Sequence, residues 1–95
     1  MTIENTLKER GARYGDFAEH ARITQTIKTT MRQTEGWSRL SFAQREAAEM
    51  IAHKLGRILA GDPDWHDSWH DIEGYARLVS QGLEHKGKLQ KERSF

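Results

Sequence analysis

One proline, Pro63, interrupts a chain of 95 residues, and it sits in Gly61-Asp62-Pro63 between two stretches whose apolar residues recur at helical spacing. Ala43, Ala47, Ile51, Leu55, Ile58 and Leu59 make the stripe before it; Trp69, Ile72, Ala76, Val79 and Leu83 make the one after it. Ser41-Phe42-Ala43-Gln44 has the pattern of a capping box, and glycine followed by proline is a helix stop. Asp67 or Ser68 can open the next helix. These signals predict helices near 42–60 and 68–84, paired as an antiparallel hairpin over 42–84.

Upstream, residues 3–11 can form a short opening helix that stops near Gly11, and Tyr14-Gly15-Asp16 supplies a turn and then an N-cap. A helix over 17–33 follows, with a thin stripe of Phe17, Ala21, Ile23 or Thr24, Ile27 and Met31. Gly36 closes it, and Trp37 can anchor the connection. No stretch alternates as a strand would, so the expected class is all-α: a small bundle of three main helices plus a short N-terminal one. Residues 1–85 read as a single helical domain and 86–95 as a charged, flexible tail whose Leu89 and Phe95 could dock on a partner.

The near balance of 15 Lys+Arg against 14 Asp+Glu argues against a general nucleic-acid binder. The charge is unevenly spread. Residues 62–75 hold Asp62, Asp64, Asp67, Asp71 and Glu73 with no Lys or Arg, while 76–95 hold Arg77, Lys86, Lys88, Lys91 and Arg93 against Glu84 and Glu92. Such polarity favours self-association or a local ligand field. With 36% hydrophobic residues the core is thin, so a homo-oligomer with Trp37 or Trp65 at its interface is expected. The absence of cysteine removes disulfides and thiolate chemistry. No apolar run approaches the roughly 18 residues of a membrane span, and the N-terminus is too charged for a signal peptide. The expectation is a soluble, cytoplasmic protein.

Lys54 and Arg57, three positions apart on one helix, face Asp67 and Asp71 across the turn. The two cations could grip a phosphate as a point charge and a planar fork, or they could pair with the two carboxylates. Gly56 between them permits close helix packing or ligand approach, packing being the simpler reason. Asp71 lies near a core stripe, where a carboxylate needs a partner. Trp65 and Tyr75 could stack on a base. The ligand-binding set is thus Lys54, Arg57, Trp65, Asp67, Asp71 and Tyr75. Glu46 and Glu49 form an ExxE pair on the facing helix, and with Asp71 they are the candidates for Mg²⁺. His66 and His70 straddle the expected helix start, which argues against a histidine zinc site. No catalytic triad can be assembled, and Gly11-Ala12-Arg13-Tyr14-Gly15 lacks the strand and lysine of a phosphate-cradling loop.

Arg10-Gly11, Tyr14-Gly15-Asp16-Phe17, Lys54-x-x-Arg57-Ile58, Gly61-Asp62-Pro63 and Asp67-Ser68-Trp69-x-Asp71-Ile72-x-Gly74-Tyr75-Ala76 together resemble a family of short phage and prophage proteins of unassigned function. The resemblance covers roughly residues 8–80, with Glu73 and Gly56 as departures from the usual pattern. It implies a phage accessory protein. A more distant likeness is to the MazG-type all-α nucleotide pyrophosphohydrolases, whose ExxE helix Glu46 and Glu49 match. The second acidic helix of that family does not match, since Ser68 stands where an acid is needed and Asp67 is one position off.

The functional expectation is a binder of a small phosphorylated nucleotide without turnover, with no catalytic residues and no cofactor. In a phage setting it is a sponge for a host immune nucleotide signal. The alternatives are a Mg²⁺-dependent nucleotide pyrophosphohydrolase and a protein-binding inhibitor that uses the acidic 62–75 patch.

Overall fold

In the computed structural model, which describes the backbone of residues 2–93 and the side chains of residues 2–87, four α-helices follow one another. They are α1 (Ile3–Tyr14), α2 (Phe17–Arg32), α3 (Phe42–Ala60) and α4 (His66–Arg93), with a 3₁₀ turn at Glu35–Arg39 and no strand among the described residues. The all-α class and the hairpin of α3 and α4 are as the sequence indicates.

Local chemistry sets most of the boundaries. Asp16 caps α2 by accepting from the Glu19 amide at 3.2 Å. Ser41 and Gln44 form the reciprocal capping box of α3: Gln44 N–H donates to Ser41 Oγ at 3.1 Å, and Ser41 N–H donates to Gln44 Oε1 at 2.9 Å. Gly61 caps the other end of α3, its N–H donating to the Arg57 carbonyl at 2.9 Å.

Three boundaries differ from expectation. Gly11 does not stop α1, which runs on to Tyr14 with Gly15 as its cap. α2 closes at Arg32, one residue before the expected 33, and the connection that follows is a 3₁₀ turn that takes in Gly36 and Trp37, whose carbonyl accepts from Arg45 Nε at 3.3 Å. α4 starts at His66, because Asp62 folds the turn by accepting from the Asp64 amide at 2.9 Å, and it passes Gly82 and Gly87 to reach Arg93. His66 and His70 therefore share a helix and stack with centroids 5.7 Å apart. The docking expected of Leu89 and Phe95 lies outside the described side chains.

α3 is the central helix, packed against α2 on one side and α4 on the other, with α1 lying against α2 and α3. Apart from Ile58 on α3, the buried residues are small or polar: Ala47, Ala52 and Gly56 on α3, His20 and Thr24 on α2, and Ser68 on α4. Several expected core residues lie outside. Phe17 and Leu59 are 79% and 66% exposed, and Leu83 is also exposed. Trp69, 49% exposed, turns its Nε1–H to the Pro63 carbonyl at 2.7 Å and pins the hairpin turn. Small residues at the contact let backbones approach, and bulky neighbours are then left at the rim.

Candidate functional site

The turn after α1 and the turn after α3 interlock. Asp62 N–H donates to the Arg13 carbonyl at 2.8 Å, joining the two corners through backbone. Gly15 adopts φ 79° and ψ −168°, a conformation close to glycine-only, and a Cβ there would run into the Ala60 carbonyl. A Cβ on Gly61 would lie 2.5 Å from the Arg13 carbonyl oxygen and 2.6 Å from the Gly15 nitrogen. This clasp fixes α1 and the start of α2 against the C-terminal half of α3, and a cleft of about 390 Å³ opens beside it.

Four segments line the cleft. α1 supplies Leu7, Arg10, Gly11 and Tyr14, the corner supplies Gly15 and Asp16, α2 supplies Phe17 and His20, and α3 supplies His53 and Arg57. The Arg57 guanidinium lies 4.3 Å from the centroid of the Tyr14 ring, a cation–π contact that orients the fork. Arg13 makes the same contact with Trp65, also at 4.3 Å, on the neighbouring corner.

At the floor, the rings of His20 and His53 meet edge to face at 4.7 Å. His20 Nε2 lies 3.2 Å from the His53 carbonyl. A carbonyl only accepts, so this nitrogen carries the proton. Burial first, then the Arg57 cation and His20, with Lys28 and Lys54 further out, push His53 down to about 4. Burial also lowers His20, against the opposing effect of its hydrogen bond to the His53 carbonyl. Both imidazoles are thus held neutral under a positive field, which is the setting an anion would stabilise.

The ligand-binding set read from the sequence is divided by α3. Arg57 faces the cleft, whereas Lys54 turns to the other side and bonds Asp71, with Nζ 2.9 Å from Oδ2. Lys54 is 13% exposed and Asp71 43%. The Lys54 hydrogen bond holds the Asp71 carboxyl below its ordinary range. Tyr75 and Asp71 line a separate shallow depression with His70, Gly74 and Leu78, and Asp67 is exposed in the first turn of α4. Trp65 is taken up under Arg13, with its Nε1 buried and without a partner. Gly56 serves packing: a Cβ there would collide with Thr24 Oγ1 and stand 2.8 Å from His20 Cδ2.

The residues named for Mg²⁺ each have other surroundings. Glu49 Oε1 accepts from Arg32 Nη2 at 2.7 Å, Asp71 holds Lys54, and Glu46 is exposed. Among the described residues, no group of three or more His, Cys, Asp or Glu side chains is placed to share a metal ion.

Arg10, Tyr14, Phe17, His20 and His53 were not foreseen as one site. The signal available was the Tyr14-Gly15-Asp16-Phe17 motif, whose glycine has no purpose as a simple turn until its contact with Gly61 is seen.

Compared with known proteins, the chain matches a family model described as a domain of unknown function, DUF6378, over residues 2–82. No curated protein and no solved structure matches it. The matched region takes in α1 to α3, both corners, the cleft and the first part of α4. No described helix is long and apolar enough to cross a membrane.

Proposed function

We infer that this chain, which belongs to the DUF6378 family of unknown function, binds a small phosphorylated ligand of nucleotide size in the cleft between α1, α2 and α3, without turning it over. The observation that carries this reading is the cleft's pairing of two guanidiniums, Arg10 and Arg57, with two neutral imidazoles in about 390 Å³. That volume falls within the range of small-molecule sites. A guanidinium already oriented by Tyr14 meets a phosphate with little further ordering, and Phe17 at the rim offers an exposed aromatic face to a base.

Binding without chemistry is supported by how the carboxylates are occupied. Asp16 caps α2, Glu49 holds Arg32 and Asp71 holds Lys54, so each is committed to a partner within the chain. Such a protein acts by withdrawing its ligand from solution. In the phage setting to which the sequence resemblance points, the ligand is a host immune nucleotide signal.

Calorimetry against linear and cyclic nucleotides, with and without Mg²⁺, tests this. Arg57→Met is expected to weaken binding by ~1.5–3 kcal/mol, the scale of a lost hydrogen bond to a charged group. Lys54→Met, on the far side of α3, should leave affinity unchanged. A bound anion should raise the pKa of His53 in an NMR titration, since it offsets the Arg57 field. If no nucleotide binds wild type, the reading fails; release of monophosphate and pyrophosphate would move it to the hydrolase.

A further inference from the structure

The cleft carries one charge that a bound phosphate does not explain. Asp16 is the only acid among its lining residues, set beside Arg10, Arg57 and the imidazoles of His20 and His53. A carboxylate accepts hydrogen bonds and donates none, and it repels a phosphate, so a site meant for a bare anion is weakened by it. Among the described residues Asp16 forms no ion pair with Arg10 or Arg57. Capping occupies one oxygen only: Oδ2 accepts from the Glu19 amide at 3.2 Å, and Oδ1 has no hydrogen-bond partner within the described chain. A serine or asparagine would cap α2 as well, so the helix does not require the negative charge.

The order of residues around the corner places this free oxygen. His20, 6% exposed, and His53 form the floor, and Arg57 is held on the Tyr14 ring at 4.3 Å. Gly15 is packed against the Ala60 carbonyl, which fixes the backbone between Tyr14 and Asp16. Phe17 follows directly, exposed at the rim. Consecutive Cα atoms lie about 3.8 Å apart, so the Asp16 backbone stands within about 8 Å of that of Tyr14 and about 4 Å of that of Phe17. The cleft therefore runs from cations, through a lone carboxylate, to an exposed aromatic face. A nucleotide has its parts in the same order: phosphate, sugar, base. With the phosphate at the guanidiniums and the base against Phe17, the sugar comes to Asp16.

A ribose is what a free carboxylate oxygen can read. Its hydroxyls donate, ionised phosphate oxygens only accept, and acidic side chains pair with ribose hydroxyls in other nucleotide sites for that reason. The 2′-hydroxyl is the donor that separates ribonucleotides from deoxyribonucleotides, and linear and 3′,5′-cyclic forms both keep it. We propose, resting on the reading of the cleft as a nucleotide site, that Asp16 accepts a hydrogen bond from the 2′-hydroxyl of the bound ligand and so makes the cleft selective for ribonucleotides. The carboxylate also sets the direction of binding, since it keeps the phosphate at the Arg57 end.

Calorimetry with linear and 3′,5′-cyclic ribonucleoside monophosphates beside their 2′-deoxy forms tests this. Wild type is expected to bind the ribonucleotide it prefers about tenfold more tightly than the 2′-deoxy form, the lower end for a hydrogen bond to a charged group. Asp16→Ser keeps the cap but falls short of the sugar, so the two forms should bind alike while the protein melts as wild type does. Asp16→Asn keeps an acceptor and removes the charge. It should retain part of the preference and bind inorganic pyrophosphate severalfold more tightly at low ionic strength. A residue that only capped the helix would change neither. Equal wild-type affinity for ribo and deoxy forms overturns the proposal and leaves the phosphate reading of the cleft standing. A preference that survives Asp16→Ser overturns it too, placing the hydroxyl on another residue. If no nucleotide binds wild type, both readings fall. Should Asp16→Ser unfold, the pyrophosphate result with Asp16→Asn decides.

Discussion

Where α1 turns into α2 and α3 turns towards α4, Gly15 and Gly61 press backbone against backbone; along α4, Gly74, Gly82 and Gly87 face open space. Both sets lack a side chain, yet the first is demanded by contacts within the chain and the second is answered by none among the described residues. The corner glycines let two turns interlock and thereby shape the cleft. Those of α4 weaken a helix that would be more stable with alanine.

That contrast can be broken most severely at the corner. Gly15→Ala adds a Cβ against the Ala60 carbonyl and forces alanine into a backbone region closed to it. The expected loss is on the order of 4 kcal/mol, at the exceptional end for one substitution, read as a collapse of the denaturant midpoint. A variant that melts like wild type would show that the clasp is not part of the fold.

Gly56 is an intermediate case, buried in a helix against Thr24 and His20. Gly56→Ala gains helix propensity but overpacks the contact between α2 and α3, for a net cost of about 1–3 kcal/mol. Since His20 is one of the neighbours displaced, ligand binding in the cleft should fall with it.

Acidification probes the same contact without mutation. The unfolded chain protonates His53 near its ordinary 6.5, whereas the folded chain resists until about 4. Between these values the unfolded state binds the extra proton. The stability contributed by the neutral imidazole is therefore complete above pH 6.5 and is lost as the pH falls towards 4. His20 acts in the same direction, and Asp71 adds its own loss only at lower pH, when the Lys54 bond breaks. Thermal melts should follow that course, and His53→Gln should flatten it.

The smallest effect has the opposite sign. Gly74→Ala should stabilise the isolated chain by about 0.5–1 kcal/mol, because the new methyl group meets nothing. Denaturation at low protein concentration reads that gain. A Gly74→Ala variant no more stable than wild type would show that a methyl group at position 74 does meet a neighbour.

The ends of α2 and α3 were legible because they are local. An aspartate or serine followed three residues later by a reachable amide, and a glycine at the close, determine a cap within one turn of chain. The hairpin was legible for the same reason. The start of α4 was not, because Asp62 and the Trp69 indole organise the turn through contacts that composition does not announce. The core was legible only in part: Ala47, Ile58 and Thr24 lie on the expected stripes and are buried, whereas Phe17, Leu59 and Leu83 are exposed and close helix packing buried Ala52, Gly56 and Ser68 instead.

The candidate site was legible in one residue, Arg57. Three positions along a helix bring Lys54 and Arg57 to the same side of a cylinder, but they remain about 60° apart around it. That angle means little until neighbours are placed. Once α4 lies against one flank of α3, with α1 and α2 against the other, Lys54 reaches Asp71 and Arg57 reaches Tyr14. The sequence by itself determined four helices, most of their caps and an opposed pair of charged segments, all of which depend on residues close in the chain. Only the tertiary structure decided which cation was committed to an ion pair and which faced a cleft, because that depends on which helix packs against which flank of α3.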